Sequence, residues 1–264
     1  MATFVTARGL EIAYDDIGSK DLKCVVLAHG FSSNRKEGWL RTGWYAAIEQ
    51  RRERLIALDF RGHGLSAKSH DPADYDQSEM AGDIVALMDH LGVERADLIG
   101  FSMGARLSLI AALDHGRRFN NLVLAGIGAR LFDPPRATGA MAEAMQAEQA
   151  HDIQNPLLRS FRQFADEQGE DRLALAACSQ GRARDIAPDD LFGLQLPTLV
   201  IAGARDLLAG SPEGLAEVIP GALAVSAPGC DHFGAITSGL VKGKTFDFLD
   251  GWLALDEGGP SGRW

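Results

Sequence analysis

Residues 98–107 read LIGFSMGARL, an apolar run interrupted by a serine that has a glycine two places to either side. The preceding segment ADLIGF, from Ala96, reads as a buried strand. The following segment MGARLSLIAALDHG sets Met103, Leu107, Ile110 and Ala111 at helical spacing. Ser102 therefore falls at a strand-to-helix turn, and two readings of it compete. A serine there can simply cap the helix. Alternatively it is held in a strained conformation that lifts its hydroxyl clear of the strand. Side chains at the flanking positions would then clash, which accounts for Gly100 and Gly104. The choice between the two rests on the rest of the chain.

The chain has 264 residues, 46% of them hydrophobic, enough for one substantial core or a core with a modest insertion. A net charge of −10 argues against a sequence-independent nucleic-acid surface and against binding to anionic membranes. The three cysteines, Cys24, Cys178 and Cys230, have neither CxxC nor metal-ligand spacing, so neither a disulfide framework nor a metal site is expected. MATFVTARGLEIAYDD has no charged segment leading into an apolar one, and no run reaches the length of a membrane span. A soluble, cytoplasmic protein is expected, with only the tail DEGGPSGRW composed like a disordered segment.

Apolar runs rich in β-branched residues recur along the chain: CVVLAHG from Cys24, RLIALDF from Arg54, NLVLAGI from Asn121, PTLVIAG from Pro197 and ALAVSA from Ala222. Their continuous hydrophobicity suits strands covered on both faces. Helical patterns lie between them, among them SEMAGDIVALMDHLGV, with Ser78 as its expected N-cap and Gly92 as its stop. Such alternation predicts an α/β fold with a mostly parallel, doubly wound sheet of about eight strands. FVTARGLEIAYDD, turning about Arg8-Gly9, predicts an antiparallel hairpin at its edge. Between residues 130 and 190 the pattern becomes Ala-rich, charged and helical. One stripe there carries Leu157, Phe161 and Phe164, another Met141 and Met145. The expected organisation is a core of residues 1–129 and 191–264 around a small helical cap at 130–190. The stripes serve to pack that cap or to line an adaptable pocket.

A serine nucleophile needs a base, and the base needs something to orient it. Of the seven histidines, His90 and His115 fall near helix ends and His151 lies in the insertion. His232 sits in PGCDHFGA, a stretch of small residues after the last strand. Loops that follow parallel strands emerge at the carboxyl edge of the sheet, where Ser102 also lies. Asp206, in LVIAGARDLLAG, is another residue just beyond a strand. An aspartate so placed also serves as an ordinary turn residue.

The order GFSMG, then Asp206, then His232 resembles the α/β-hydrolase family, in which nucleophile, acid and histidine follow in that sequence. The likeness covers nearly the whole chain and extends to LAHGF and to DFRGHGLS. It implies a Ser102–His232–Asp206 triad and an oxyanion hole made by the backbone N–H groups of Phe31 and Met103, with no metal or cofactor. It further implies loop-holding roles for His29, Asp59, Arg61 and His63, and Asp231 as a support for the His232 loop. A serine at the elbow sets the chain apart from the haloalkane dehalogenase and epoxide hydrolase branches, which use aspartate there. HGF is not the HGGG segment of some lipases and esterases.

The expected activity is hydrolysis of small to medium carboxylic esters, with a small-molecule ester as the partner. Hydrolysis of a carbon-carbon bond in ring-cleavage products and cofactor-free perhydrolase chemistry would use similar residues. A ligand receptor with little turnover is the alternative from another class. Asp133, in GIGARLFDPP after an earlier strand, is the rival acid.

Overall fold

The computed structural model describes residues 2–133 and 139–253; Pro134, Pro135 and the tail DEGGPSGRW lie outside them. Eight strands form one sheet in the order β1-β2-β4-β3-β5-β6-β7-β8. They are β1 Ala2–Val5, β2 Glu11–Ile17, β3 Cys24–Ala28, β4 Arg54–Leu58, β5 Ala96–Phe101, β6 Phe119–Ala125, β7 Thr198–Gly203 and β8 Leu223–Ala227. β1 and β2 pair antiparallel as the expected edge hairpin, β2 also runs antiparallel to β4, and every other pairing is parallel.

The continuous apolar runs are explained by the period of two. Successive side chains of a strand point to opposite faces, so consecutive residues serve different cores. Val26, Ile56, Leu98 and Leu124 face one core, which is covered by α2 (Gln77–His90), α3 (Met103–His115) and α8 (Pro212–Ala216). Val25, Leu55, Ile99 and Val123 face the other, covered by α1 (Trp44–Gln50), α9 (His232–Thr237) and α10 (Gly239–Leu249). Between β6 and β7 the chain passes through α4 (Ala140–Gln146), α5 (Pro156–Gln168), α6 (Arg172–Gln180) and α7 (Pro188–Leu191). Met145, Phe161, Ala165 and Leu175 form a third, smaller cluster there, against which Phe31 and Met141 pack.

Ser78 does not cap α2 as expected. The helix begins at Gln77, two residues earlier than a Ser78 cap would start it, and the carboxylate of Asp76 accepts from the N–H groups of Ser78 (2.8 Å) and Glu79 (3.2 Å). An aspartate two residues upstream holds two free helix donors at once, which leaves Ser78 inside the first turn. Gly92, at φ +67°, ends the helix as the sequence indicated. Among the described residues no helix is long and apolar enough to cross a membrane.

Candidate active site

Ser102 lies between β5 and α3 with φ +54° and ψ −114°, a backbone conformation that a residue bearing a Cβ adopts only under strain. Its N–H donates to the Ala125 carbonyl of the neighbouring strand at 2.8 Å, which fixes the turn. The two glycines make room for the turn, as expected. A Cβ on Gly100 would lie 2.5 Å from the Gly104 carbonyl oxygen, and one on Gly104 would run into the carbonyls of Ala28 and His29. The capping alternative fails, because the Ser102 side chain makes no capping bond to α3.

His232 meets this hydroxyl from the far side of the sheet edge. Its Nε2 is 2.9 Å from Ser102 Oγ, and its Nδ1 is 2.8 Å from Asp206 Oδ2. The hydrogen bonds assign the tautomer: Nδ1–H donates to the carboxylate, leaving the Nε2 lone pair to accept from the serine. The Asp206 side chain is fully buried, and its other oxygen accepts the N–H groups of Leu208 and Ala209, both at 2.9 Å. That leaves Oδ2 free for the histidine. The imidazole lies among aromatic rings, with centroids of Phe101 at 5.2 Å, Phe233 at 5.6 Å and Phe161 at 6.4 Å. An imidazole so placed can take a proton from the hydroxyl while the buried carboxylate holds its other nitrogen.

The two loops that carry acid and histidine are clasped to each other. The N–H of Arg205 donates to the Cys230 carbonyl at 2.9 Å, and a Cβ on Gly203 would strike the same carbonyl. His232 itself opens a short helix, α9, rather than lying in a loop, and Asp231 caps that helix by accepting from Gly234 N–H at 2.8 Å. Asp133 is elsewhere. It is exposed and pairs, among the described residues, with Arg130 at 3.9 Å, so the structure brings Asp206, not Asp133, to the histidine.

Phe31 and Met103 follow β3 and Ser102 respectively. Among the described residues no protein acceptor takes either N–H, and both residues line the cavity that Ser102 also lines. Ser32, next to Phe31, shares the left-handed strain with φ +56°. The Phe31 loop rests on two buried histidines. His29 Nδ1 bonds the Gly30 carbonyl at 2.8 Å and its Nε2 accepts from Phe60 N–H at 3.0 Å, while His63 Nδ1 bonds the Arg61 carbonyl at 2.9 Å. Asp59 accepts from Arg35 and Leu65, and Arg61 pairs with Asp83 at 2.7 Å. These groups tie the loops after β3 and β4 together.

Burial pushes the His29 pKa down to about 4 and that of His63 to about 3. Both histidines are therefore neutral in the folded protein at pH values where the unfolded chain already binds protons, below about 6.5. Their contribution to stability is full above that pH and is lost as the pH falls towards 4, at about 1.4 kcal/mol per unit for each. We expect urea unfolding to show the protein about 4 kcal/mol less stable at pH 5 than at pH 7 from this pair, with His63→Gln removing about half of the difference. Equal pH dependence in the wild type and the variant would contradict it.

Two cavities of about 340 and 360 Å³ meet at Phe31, Ser102, Phe161 and His232. The first is walled by Trp39, Phe101, Phe164, Phe233 and Ile236, the second by Met103, Leu131, Met141 and Leu208 with Arg106 and Arg130. The residues missed by sequence reasoning are Arg106, the Gly203–Cys230 clasp and Glu170. The carboxylate of Glu170 accepts from Gly64 N–H (2.9 Å) and from Asn34 Nδ2 (2.9 Å), tying the helical segment to two loops of the sheet edge. Arg106 carried a usable signal, because four residues after Ser102 is one helical turn. Glu170 carried none.

A family model described as alpha/beta hydrolase fold matches residues 23–157, half of the chain, including the Ser102 turn. The chain belongs to the α/β-hydrolase fold family. Among curated proteins it is similar to 3-oxoadipate enol-lactonase 2 of Acinetobacter baylyi, 26% identical over 216 residues that cover 76% of this chain and 78% of that one. A shorter alignment, 32% identical over 124 residues, covers 46% of this chain and 43% of 2-hydroxy-6-oxo-2,4-heptadienoate hydrolase of Pseudomonas putida. Among solved structures, the enol-lactonase from Burkholderia xenovorans superposes with a TM-score of 0.78 at 26% identity, covering 94% of this chain and all of that one.

Proposed function

We propose that this hydrolase cleaves carboxylic esters of small to medium acyl groups through an acyl-enzyme on Ser102. The observation that carries the reading is His232 bridging Ser102 Oγ and the buried carboxylate of Asp206 at 2.9 and 2.8 Å, beneath a serine held in a strained turn. His232 Nε2 takes the hydroxyl proton as Oγ attacks the ester carbonyl, and the N–H groups of Phe31 and Met103 donate to the oxyanion that forms. The tetrahedral intermediate collapses and the alcohol leaves with the proton from Nε2. Water, deprotonated by the same nitrogen, then releases the acid and restores Ser102. Backbone donors suit this task because they need no reorganisation as charge develops. The enol-lactonases to which the chain is similar are named for a cyclic ester, which fits this chemistry.

Steady-state rates on aryl esters of graded acyl length test the reading. A cavity of about 340 Å³ lies at the small end of ligand sites, which run from roughly 300 to 1,000 Å³. kcat/KM is expected to climb about fourfold per methylene, as apolar burial of about 0.8 kcal/mol adds up, to an optimum within two to eight carbons. A steady climb to sixteen carbons would sink the size assignment. The same panel carries a ring-cleavage diketone and a peracid assay, and faster turnover of either than of every ester would replace ester hydrolysis as the main activity.

A further inference from the structure

The two cavities that meet at Ser102 differ in charge. Glu37 and Glu167 are the charged residues apart from histidine on the first, and Arg106 and Arg130 on the second, among the described residues. A wall that carries only cations stands out in a chain of net charge −10. Resting on the reading of Ser102 as nucleophile, we propose that the second cavity binds a carboxylate carried by the ester substrate, with Arg106 as its main partner and Arg130 beside it.

Arg106 lies one turn along α3 from the serine, its N–H donating to the Ser102 carbonyl at 3.0 Å. Its side chain is half-buried, yet all its partners are neutral. Nε donates to Gln77 Oε1 at 2.9 Å and Nη2 to the Arg184 carbonyl at 2.5 Å, while Nη1 has no hydrogen-bond partner among the described residues. Burial pushes its pKa down, and among the described residues Asp185 alone pulls it back, without a hydrogen bond or ion pair to it. A cation partly withdrawn from water with no counter-ion is unfavourable, and the arrival of an anion relieves it. A guanidinium held by two of its nitrogens is also a preformed fork for a carboxylate, aimed by Gln77, which fixes Arg184 N–H as well at 3.2 Å. Arg130 is looser, half-exposed and 3.9 Å from Asp133, so its charge is partly offset and its share is the smaller.

Two ester pairs test this, each differing by one carboxylate. Monophenyl glutarate is set against methyl phenyl glutarate, read by phenol release, for an anion on the acyl side. 4-(Carboxymethyl)phenyl valerate is set against its methyl ester for an anion on the alcohol side. In the wild type, kcat/KM for the anionic member of at least one pair is expected to exceed that of its neutral partner by tenfold or more. Arg106→Gln should cut that ratio at least tenfold, Arg106→Lys should keep part of it, and Arg130→Gln should cut it less. A purely structural Arg106 would depress both members equally and leave the ratio unchanged. A wild-type ratio at or below one in both pairs, or a ratio that survives Arg106→Gln, overturns the proposal. Binding of the same esters to Ser102→Ala protein by calorimetry reads the subsite without turnover. Should the wild type hydrolyse none of them, the ester reading fails on its own. The carboxylate site then stands if the anionic member binds tenfold tighter in an Arg106-dependent way, and falls if the two bind alike. If Arg106→Gln does not fold, Arg106→Lys and the wild-type ratios decide.

Discussion

Ser102→Ala is expected to remove ester turnover almost entirely, with kcat falling roughly 10⁶-fold, the scale seen when a triad serine is deleted elsewhere. That corresponds to about 8 kcal/mol of transition-state stabilisation. The loss is large because the nucleophile has no substitute. Ser33, Ser160 and Ser179 also line the two cavities, but their hydroxyls donate to the carbonyls of Asn34 (3.5 Å), Pro156 (3.0 Å) and Ala176 (2.7 Å), with no base among their hydrogen-bond partners. The fold should survive, since alanine meets the same φ of +54° as serine does and the Ala125 carbonyl still receives the backbone N–H. An organophosphonate probe should therefore add a single label to the wild type, mapped to Ser102, and none to the variant. A label on Ser33, Ser160 or Ser179 in folded protein, or esterase activity retained by a folded Ser102→Ala protein, would overturn the nucleophile assignment.

The strands were legible because a sheet covered on both sides writes itself into the chain as unbroken apolar runs. Val25 and Val26 serve opposite cores, so no polar residue is admitted between them. The turn at Ser102 was legible for a different reason: Gly100 and Gly104 are demanded by backbone atoms a few residues away or on the adjacent strand. That Ser102, Asp206 and His232 could meet followed from parallel topology, which delivers every strand-to-helix loop to one edge. What stayed hidden depends on long side chains choosing partners far off in sequence. Glu170 reaches back to Asn34 and Gly64, and Arg106 reaches Gln77 on one side and Arg184 on the other. Such contacts follow from rotamers and from how helices dock, neither of which has a period in the sequence. The α2 cap was misplaced on local grounds: Asp76 and Ser78 are both good caps, and only the geometry shows which one holds the free donors.

Asp206→Asn should lower kcat by about 10⁴-fold while leaving the protein folded, an expectation taken from the behaviour of serine protease triads. Asparagine keeps the shape of the side chain, and its amide oxygen can still accept the Leu208 and Ala209 N–H groups that Asp206 Oδ1 accepts at 2.9 Å. The atom then facing His232 is an amide nitrogen, which donates. It forces Nδ1 to be the acceptor and moves the imidazole proton to Nε2, the nitrogen that must receive the serine proton. Removal of the negative charge also withdraws support from the imidazolium that forms in the transition state. The two effects together correspond to about 5 kcal/mol. Asp133→Asn is the matched control. Its carboxylate is exposed and lies 3.9 Å from Arg130, a weak surface pair, and it makes no bond to His232, so its rate on neutral esters should change less than about threefold. Circular dichroism and melting temperature establish that both variants are folded before their rates are compared. If the folded Asp133 variant is the inactive one and Asp206→Asn keeps near-full turnover, the acid assignment is wrong, while the contact between Ser102 and His232 stands on its own distance of 2.9 Å.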